Sequence, residues 1–216
     1  KVMAYTNEGK QKSYIYLIRH GHTEGTLKDW YYGAADLPLS EEGIQETIRL
    51  RDEGLYPDPE DAQFFVSGLS RTMHTLHLIY GDVEYTEIPE LKEMNFGEYE
   101  CIPFKDLEND EVFLGWCNDT TGDYRLPGAE TKNEFAERIG RGLAKLRKYH
   151  GLKEISHRHS KKDAKSIMVY HGGSIAACMT LMFPEKNYTI WDWSPEPGHG
   201  YKVIFEDGEP IGYEEF

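Results

Sequence analysis

Three short segments of this sequence place an arginine or a histidine at or near the end of an apolar run. They are Arg19-His20-Gly21, the stretch from Ser67 to Arg71, and His171-Gly172. Guanidinium groups bind phosphoryl oxygens through paired hydrogen bonds, and a neutral imidazole can attack phosphorus to form a covalent intermediate. The combination predicts phosphoryl-transfer chemistry. His20 is the expected nucleophile, with Arg19, Arg71 and His171 around the phosphoryl group.

The apolar runs before these segments must position them. Residues 14–18, 63–67 and 166–170 are rich in aromatic and β-branched side chains, and their apolar character does not alternate. That pattern is typical of strands buried on both faces of a parallel sheet. The carboxyl ends of parallel strands meet at one edge of the sheet, where open α/β folds bind their ligands. We therefore expect the two arginines and the two histidines to lie together at that edge.

Helical patterns alternate with these strands, which predicts an α/β fold with a mostly parallel sheet. Ser40 is the predicted N-cap of a helix over residues 40–53, and Ser174 that of a buried helix ending near Phe183. A second helix is expected to start near Ser70, and a capping box at residues 131–134 begins the clearest one. The side chains expected to face inward are Ile44, Ile48 and Leu55 in the first helix, Leu69, Met73, Leu76 and Tyr80 in the second, and Phe135, Ile139, Leu143 and Leu146 in the helix after the capping box.

The whole chain, residues 1–216, is expected to form a single domain. Residues 1–12 are polar and predict an arm. Residues 98–130 lack clear periodicity and predict a lid or an insertion over the edge of the sheet, although an ordinary surface excursion fits the same pattern. Residues 150–165 predict a basic, solvated loop that includes His157.

The composition limits the kinds of partner. A net charge of −14 argues against a surface for nucleic acid or an anionic membrane, so an anionic substrate needs a local cationic pocket. No apolar run approaches the roughly 18 residues that cross a membrane. Cys101, Cys117 and Cys178 form no CxxC pair, which predicts free thiols and a cytoplasmic location.

These motifs resemble those of the histidine phosphatase (phosphoglycerate mutase-like) superfamily. The matching stretches are residues 17–21 with Thr23, residues 67–75 and residues 169–172. The resemblance implies a three-layer α/β/α sandwich and a phosphohistidine intermediate formed with no metal and no other cofactor. It also implies that Glu93, in the segment Leu91-Lys92-Glu93-Met94, is the proton donor.

The resemblance further implies a wider set of phosphate-binding residues, from which the sequence departs at one member. Besides Arg19, Arg71 and His171, the set includes Thr23, Thr26, Gly33 and Gly172. Thr26 stands where many members carry an asparagine that contacts phosphate, and it can still donate one hydroxyl hydrogen bond. A second departure is His22, which stands where many members have glutamate.

Within the superfamily, residues 93–100, 115–119 and 126–131 look most like α-ribazole phosphatases. Those enzymes dephosphorylate α-ribazole 5′-phosphate in the building of the cobalamin nucleotide loop, so the implied partner is a small phosphorylated metabolite. Three other functions stay open: a phosphoglycerate mutase, a phosphatase of broad specificity for sugar and nucleotide phosphates, and a phosphate-binding protein without catalysis. A homodimer also stays open.

Two local features have a second interpretation. His20 and His22 are two residues apart and could form a metal-binding pair, but no further ligands at suitable spacing support one. Trp116, Trp191 and Trp193 are expected to pack against the protein; the alternative is that one of them, Trp116 before the others, stacks on an aromatic substrate.

Overall fold

A six-stranded sheet runs through the part of the chain that the computed structural model describes, residues 10–160 and 162–216. Most of the arm expected at residues 1–12 lies outside the described residues, and Lys12 already belongs to the first strand. In spatial order the strands are β4 (Tyr85–Glu87), β3 (Ala62–Val66), β6 (Ala164–Tyr170), β1 (Lys12–Arg19), β7 (Gly200–Glu206) and β8 (Glu209–Glu215).

The first four strands of this order are parallel, and β7 and β8 are antiparallel to their neighbours. This arrangement confirms the predicted α/β fold with a mostly parallel sheet. In the central pair, Ile18 of β1 lies opposite Val169 of β6, and Arg19 lies opposite Tyr170. The residues that follow, His20 and His171, therefore leave the sheet side by side.

Helices cover both faces of the sheet. They are α1 (Glu24–Leu27), α2 (Glu41–Asp52), α3 (Ser70–Tyr80), α4 (Glu111–Asn118), α5 (Lys132–Ser156), α6 (Gly172–Met182) and α7 (Ile190–Trp193). On one face, α5 and α6 bury side chains such as Ile139 and Ile175 against Leu17 and Met168. On the other face, α3 buries Leu76 and Ile79 against Ile18 and Val169. The core is therefore split into the two apolar layers of a three-layer sandwich.

The inward faces of the helices match the prediction in α5, match it in part in α3, where Leu69 and Leu76 are buried, and differ in α2. Phe135, Ile139, Leu143 and Leu146 of α5 are all buried, and the Thr131–Glu134 capping box is formed. The buried residues of α2 are instead Gly43, Thr47 and Leu50, while those of α3 are Arg71, Thr72, Thr75, Leu76 and Ile79. The turn after β1 packs against the small side of α2, and in α3 the buried polar residues Arg71, Thr72 and Thr75 precede the apolar Leu76 and Ile79.

Two helix boundaries differ from the prediction. Helix α5 continues to Ser156, so the loop expected from residue 150 is wrong. The helix persists there because the buried His150 ring is hydrogen-bonded to strand residues. Helix α6 begins at Gly172, with His171 as its N-cap, so Ser174 lies inside the first turn and is not the cap.

The segment from 98 to 130 packs against the loop that follows β1. Its short strand β5 (Ile102–Pro103) pairs with β2 (Trp30–Tyr31), and Phe113 of α4 packs on the Tyr31 ring at 4.9 Å between centroids. None of the helices formed by the described residues has the length and apolar character that crossing a membrane requires.

Candidate active site

The ends of β1 and β6 bring two buried histidines together. The ring centroids of His20 and His171 are 5.3 Å apart, with an edge-to-face orientation. Arg19 precedes the first histidine, and Arg71 reaches the same place from the first turn of α3. The four side chains predicted from the strand ends thus lie at one edge of the sheet.

The ring of His20 is held in one tautomer by the main chain. Its Nδ1 lies 2.7 Å from the carbonyl oxygen of Gly21. A carbonyl oxygen can only accept, so Nδ1 carries the proton and Nε2 keeps its lone pair. Burial, together with the charges of Arg71 and Arg19, lowers the pKa of His20 well below its usual value. The imidazole is therefore neutral at pH 7, with a nucleophilic Nε2.

His171 is fully buried and bonds to the end of β3. Its Nε2 lies 2.8 Å from Ser67 Oγ, and that hydroxyl also accepts from the Leu69 N–H. When the Ser67 hydroxyl donates to Nε2, Nδ1 of His171 carries the ring proton and is the donor. Within residues 10–160 and 162–216 this buried Nδ1 has no partner. Burial also lowers the pKa of His171 well below its usual value.

Arg71 is fully buried and is fixed by two main-chain carbonyls. Its Nη1 donates to the Ala35 carbonyl and its Nη2 to the Gly33 carbonyl, each at 2.7 Å. The guanidinium lies 5.0 Å from the centre of the Tyr32 ring. A Cβ on Gly33 would lie 1.7 Å from the carbonyl oxygen of Met94, so only glycine fits at this position.

Arg19 is fixed by the loop before β7. Its Nη1 donates to the Pro195 carbonyl at 2.7 Å, and its main-chain N–H donates to the His199 carbonyl at 2.9 Å. The Nε atoms of Arg19 and Arg71 are both buried and, among the described residues, both lack a hydrogen-bond partner. Two cationic donors and the Nδ1 of His171 are therefore free to bind an anion beside His20.

Glu93 lines the same cavity and is bound to the start of α6. Its Oε2 accepts from the Gly173 N–H at 2.8 Å, and its Oε1 accepts from the Met94 N–H at 3.1 Å. The Ser174 hydroxyl lies 3.4 Å from Oε1. The carboxyl group is thus oriented by two main-chain donors, with the Ser174 hydroxyl close by.

The other predicted phosphate ligands form hydrogen bonds within the protein around the site. Thr23 is fully buried, and its hydroxyl forms the α1 capping box with Thr26. Thr26 lines the cavity, but its hydroxyl donates to the Thr23 carbonyl at 2.9 Å. The Gly33 N–H donates to Glu100 Oε2 at 2.8 Å, and Gly172 opens α6 beside the Arg19 guanidinium. These hydrogen bonds give Thr23, Thr26 and Gly33 roles in shaping the loop after β1.

The cavity above these groups has a volume of about 1040 Å³, and eight aromatic residues contribute to its wall. The aromatic lining residues are Trp30, Tyr31, Tyr32, Phe96, Phe104, Trp116, Phe135 and Trp191. Trp193 is buried as expected, but Trp191 is 78% exposed, so the prediction that it packs in the protein is wrong. Trp191 belongs to the short helix α7 at the cavity mouth, where its neighbours do not enclose it.

The structure also shows the surroundings of His157 and His22. His157 is buried and bonds to Asp61, so the predicted solvated histidine is wrong. His22 lines the cavity, and its Nδ1 lies 3.2 Å from Thr26 Oγ1. Within the described residues, no three histidine, cysteine or carboxylate side chains gather closely enough to hold a metal ion.

Sequence reasoning missed several supporting residues. Ser67 ends β3 and bonds His171, so its place at a strand end was the available signal. In the sequence, the pattern around Ser174 indicates only a helix cap. Glu100 and Arg138 bond to loops that carry other site residues, and those contacts join residues far apart in the chain. No local pattern in one sequence marks such contacts.

Comparison with known proteins gives consistent relationships. Residues 15–212 match the model of the histidine phosphatase superfamily (branch 1). The chain is 32% identical over 189 residues to the adenosylcobalamin/alpha-ribazole phosphatase of Escherichia coli K12, covering 85% of this chain and 86% of that protein. The crystal structure of the alpha-ribazole phosphatase from Shigella flexneri aligns with a TM-score of 0.71 and 26% identity, over 92% of this chain and 93% of that one.

A mutase also matches, over a shorter region. The 2,3-bisphosphoglycerate-dependent phosphoglycerate mutase of Beijerinckia indica is 28% identical over 135 residues, which cover 58% of this chain and 63% of the mutase. The match to the phosphatases therefore extends over more of the chain than the match to the mutase.

Proposed function

Since this chain belongs to the histidine phosphatase superfamily and is a phosphatase, we propose that it hydrolyses a phosphomonoester through a covalent adduct on His20. The observation that carries this proposal is the state of the His20 ring. The Gly21 carbonyl accepts the Nδ1 proton, so the lone pair of Nε2 is free, and the buried donors of Arg19, Arg71 and His171 at the same edge of the sheet have no partner within the described residues. A nucleophile and an anion-binding pocket therefore occupy the same place.

In the first step, Nε2 of His20 attacks the phosphorus. A bond forms between Nε2 and phosphorus, and the bond between phosphorus and the leaving oxygen breaks. Glu93, in its protonated form, gives its proton to that oxygen, so an alcohol departs. The Arg19 and Arg71 guanidiniums and the His171 Nδ1–H stabilise the three equatorial oxygens as charge redistributes.

In the second step, water replaces the histidine on phosphorus. The Glu93 carboxylate takes a proton from the water as its oxygen attacks, and the bond between Nε2 and phosphorus breaks. Phosphate leaves, His20 returns to its neutral form, and Glu93 is protonated for the next cycle. No group other than the substrate and water is consumed.

The substrate that we propose is α-ribazole 5′-phosphate. Two kinds of observation support it: the names of the related phosphatases and the cavity above the pocket. A volume of about 1040 Å³ is far more than a phosphate group needs, and aromatic side chains line it. Such a wall suits a ligand with a planar aromatic base, since aromatic rings pack favourably against one another.

The residues from 98 to 130 act as the lid that selects this substrate. They contribute Phe104, Trp116 and Cys117 to the wall, and the Lys132 ammonium lies 4.6 Å from the centre of the Trp116 ring. These contacts support a role for the lid in holding the base. The three free cysteines support a cytoplasmic location, and a homodimer stays a prediction.

A substrate panel tests this function. The enzyme is given α-ribazole 5′-phosphate, glucose 6-phosphate, a nucleoside 5′-monophosphate and each phosphoglycerate, and phosphate release is followed as kcat/KM. We expect the highest value for α-ribazole 5′-phosphate. Equal values across the panel would instead support a phosphatase of broad specificity, and interconversion of the phosphoglycerates without phosphate release would support the mutase.

The covalent step has its own readout. Acid-labile, base-stable phosphoenzyme should be trapped with the wild type and absent from His20→Ala, which should also lose phosphate release. His77→Ala is the matched control, since His77 is an exposed histidine of α3. Full activity of His20→Ala would overturn the proposed mechanism.

A further inference from the structure

Arg138 reaches from the first half of α5 to the backbone that carries Glu93. Its Nη1 donates to the carbonyls of Glu90 at 2.9 Å and Lys92 at 2.8 Å, and its Nη2 donates to the carbonyl of Glu93 at 3.2 Å. One guanidinium thus binds three carbonyls within four consecutive residues. That number of contacts leaves the main chain of Glu93 little freedom to move.

Glu130 completes this arrangement on the other side of Glu93. Its carboxylate accepts from Nε of Arg138 at 3.2 Å and also from Nη2. The same carboxylate accepts from the Asn95 N–H at 3.0 Å, and the Glu130 N–H donates to the Asn95 carbonyl at 3.2 Å. The side chains of Arg138 and Glu130 are only 19% and 16% exposed, so the pair is largely shielded from water.

The start of α6 holds the same segment from the opposite direction. The Ser174 hydroxyl donates to the Lys92 carbonyl at 3.0 Å, and the Gly173 N–H binds the Glu93 carboxyl group. Helix α5 therefore fixes the main chain of Glu93, while α6 fixes its side chain. Arg138 itself lies behind Glu93 and is not among the residues that line the cavity.

We propose that Arg138, paired with Glu130, is a positioning residue that sets where the Glu93 carboxyl group meets the leaving oxygen. This proposal rests on the proposed function, in which Glu93 protonates that oxygen. A proton-transfer group must lie within hydrogen-bond reach of its target, so a small displacement of the Glu93 backbone lowers the rate of that step.

The test uses the fact that a general acid matters only when the leaving oxygen needs a proton. An alkyl phosphate leaves as a strongly basic alkoxide, whereas p-nitrophenyl phosphate leaves as a weakly basic phenolate. The ratio of kcat/KM for the alkyl phosphate to kcat/KM for p-nitrophenyl phosphate therefore reports on the position of Glu93. Both values come from one preparation, so the fraction of folded enzyme cancels in the ratio.

The variants are Arg138→Met, Arg138→Lys and Glu130→Gln. Arg147→Met is the matched control, because Arg147 also lies in α5, donates to the Gly208 carbonyl at 3.1 Å and covers the Phe205 ring. General acid catalysis is worth roughly 10²–10⁴-fold. We expect Arg138→Met to remove part of this factor and lower the ratio about tenfold, and Glu130→Gln to lower it less. Arg138→Lys should restore part of the loss, and Arg147→Met should not change the ratio.

The variant Glu93→Gln distinguishes a failure of the proposed role of Glu93 from a failure of the positioning role of Arg138. If Glu93→Gln does not lower the ratio, the proposed function of Glu93 is wrong. If Glu93→Gln lowers the ratio while Arg138→Met gives the same ratio as Arg147→Met, Glu93 is the acid and the positioning role of Arg138 is wrong. A lower ratio in both Glu93→Gln and Arg138→Met supports the proposal.

Discussion

At the scale of single residues, the site depends on keeping a histidine uncharged beside two cations. Burial removes water from the His20 ring, and the guanidiniums of Arg71 and Arg19 repel a second positive charge. The same two effects act on His171. An imidazole in water is partly protonated near neutral pH, so these surroundings keep the Nε2 lone pair available where a free histidine would begin to lose it.

We expect the His20 ring to stay neutral as the pH falls from 8 through 6.5. The folded pKa is lowered, so protonation begins only at a pH well below the usual value. An NMR titration of the ring resonances checks this, with His20→Gln used to assign the signal. A titration midpoint at or above 6.5 would show that the ring is charged more easily than its burial implies.

At the scale of elements, helix α2 packs directly against the turn after β1 and supports it. A Cβ on Gly43 would lie 2.0 Å from the carbonyl oxygen of His22, so the helix and the turn are in direct contact there. The hydroxyl of Thr47, one turn further along α2, donates to the Gly43 carbonyl at 2.8 Å. The buried side of α2 is small because a main chain, not a side chain, packs against it.

Gly43→Ala should therefore disturb the turn that carries His20. Overpacking of this kind costs about 1–3 kcal/mol of unfolding free energy, and we expect kcat/KM to fall as the turn moves. Urea unfolding and phosphatase assays measure the two effects. Gly140→Ala is the control: apart from the helix's own backbone, no described residue has an atom within 4 Å of a Cβ at that position, so it should keep activity and gain up to about 1 kcal/mol. Unchanged activity in Gly43→Ala would contradict this role of α2.

Features that lie within one element could be predicted from the sequence, whereas contacts between distant elements could not. Strand ends are visible locally, because a buried apolar run stops at Arg19 or His171, and the capping box at Thr131 marks a helix start. The burial of His150 was not visible, since its partners lie in β1 and β6. Nor was the Gly33 carbonyl that holds Arg71, because a main-chain group at that position leaves no mark in residue type.

At the scale of the whole molecule, the two ends of the sheet hold two different clusters of polar side chains around buried histidines. The catalytic edge lies at the carboxyl ends of the strands, while His150 lies near their amino ends. Its Nδ1 bonds Ser166 Oγ at 2.7 Å and its Nε2 bonds Ser13 Oγ at 2.8 Å, which ties α5 to β6 and β1. Glu154 also faces the ring at 3.6 Å, and burial raises the pKa of that carboxyl group.

This second cluster makes stability depend on pH. Burial lowers the pKa of His150 from 6.5 to about 4, so the unfolded chain binds the proton first. Its contribution to stability is complete above pH 6.5 and is lost as the pH falls toward 4, by roughly 3 kcal/mol. Urea midpoints of wild type and His150→Gln between pH 7.5 and 4.5 test this, with His77→Gln as control. We expect a flatter pH dependence only in His150→Gln, and parallel curves for all three would contradict it.

In the proposed mechanism, the contact between His20 Nδ1 and the Gly21 carbonyl also decides which ring nitrogen is phosphorylated. Phosphohistidine exists as two constitutional isomers, and a ring whose Nδ1 is taken by a main-chain acceptor can form only the Nε2 isomer. The Gly21 carbonyl oxygen belongs to the main chain. Substitution of side chains in the pocket therefore does not change which isomer forms, as long as the turn keeps its shape. Variants with a different substrate preference should thus inherit the same covalent intermediate.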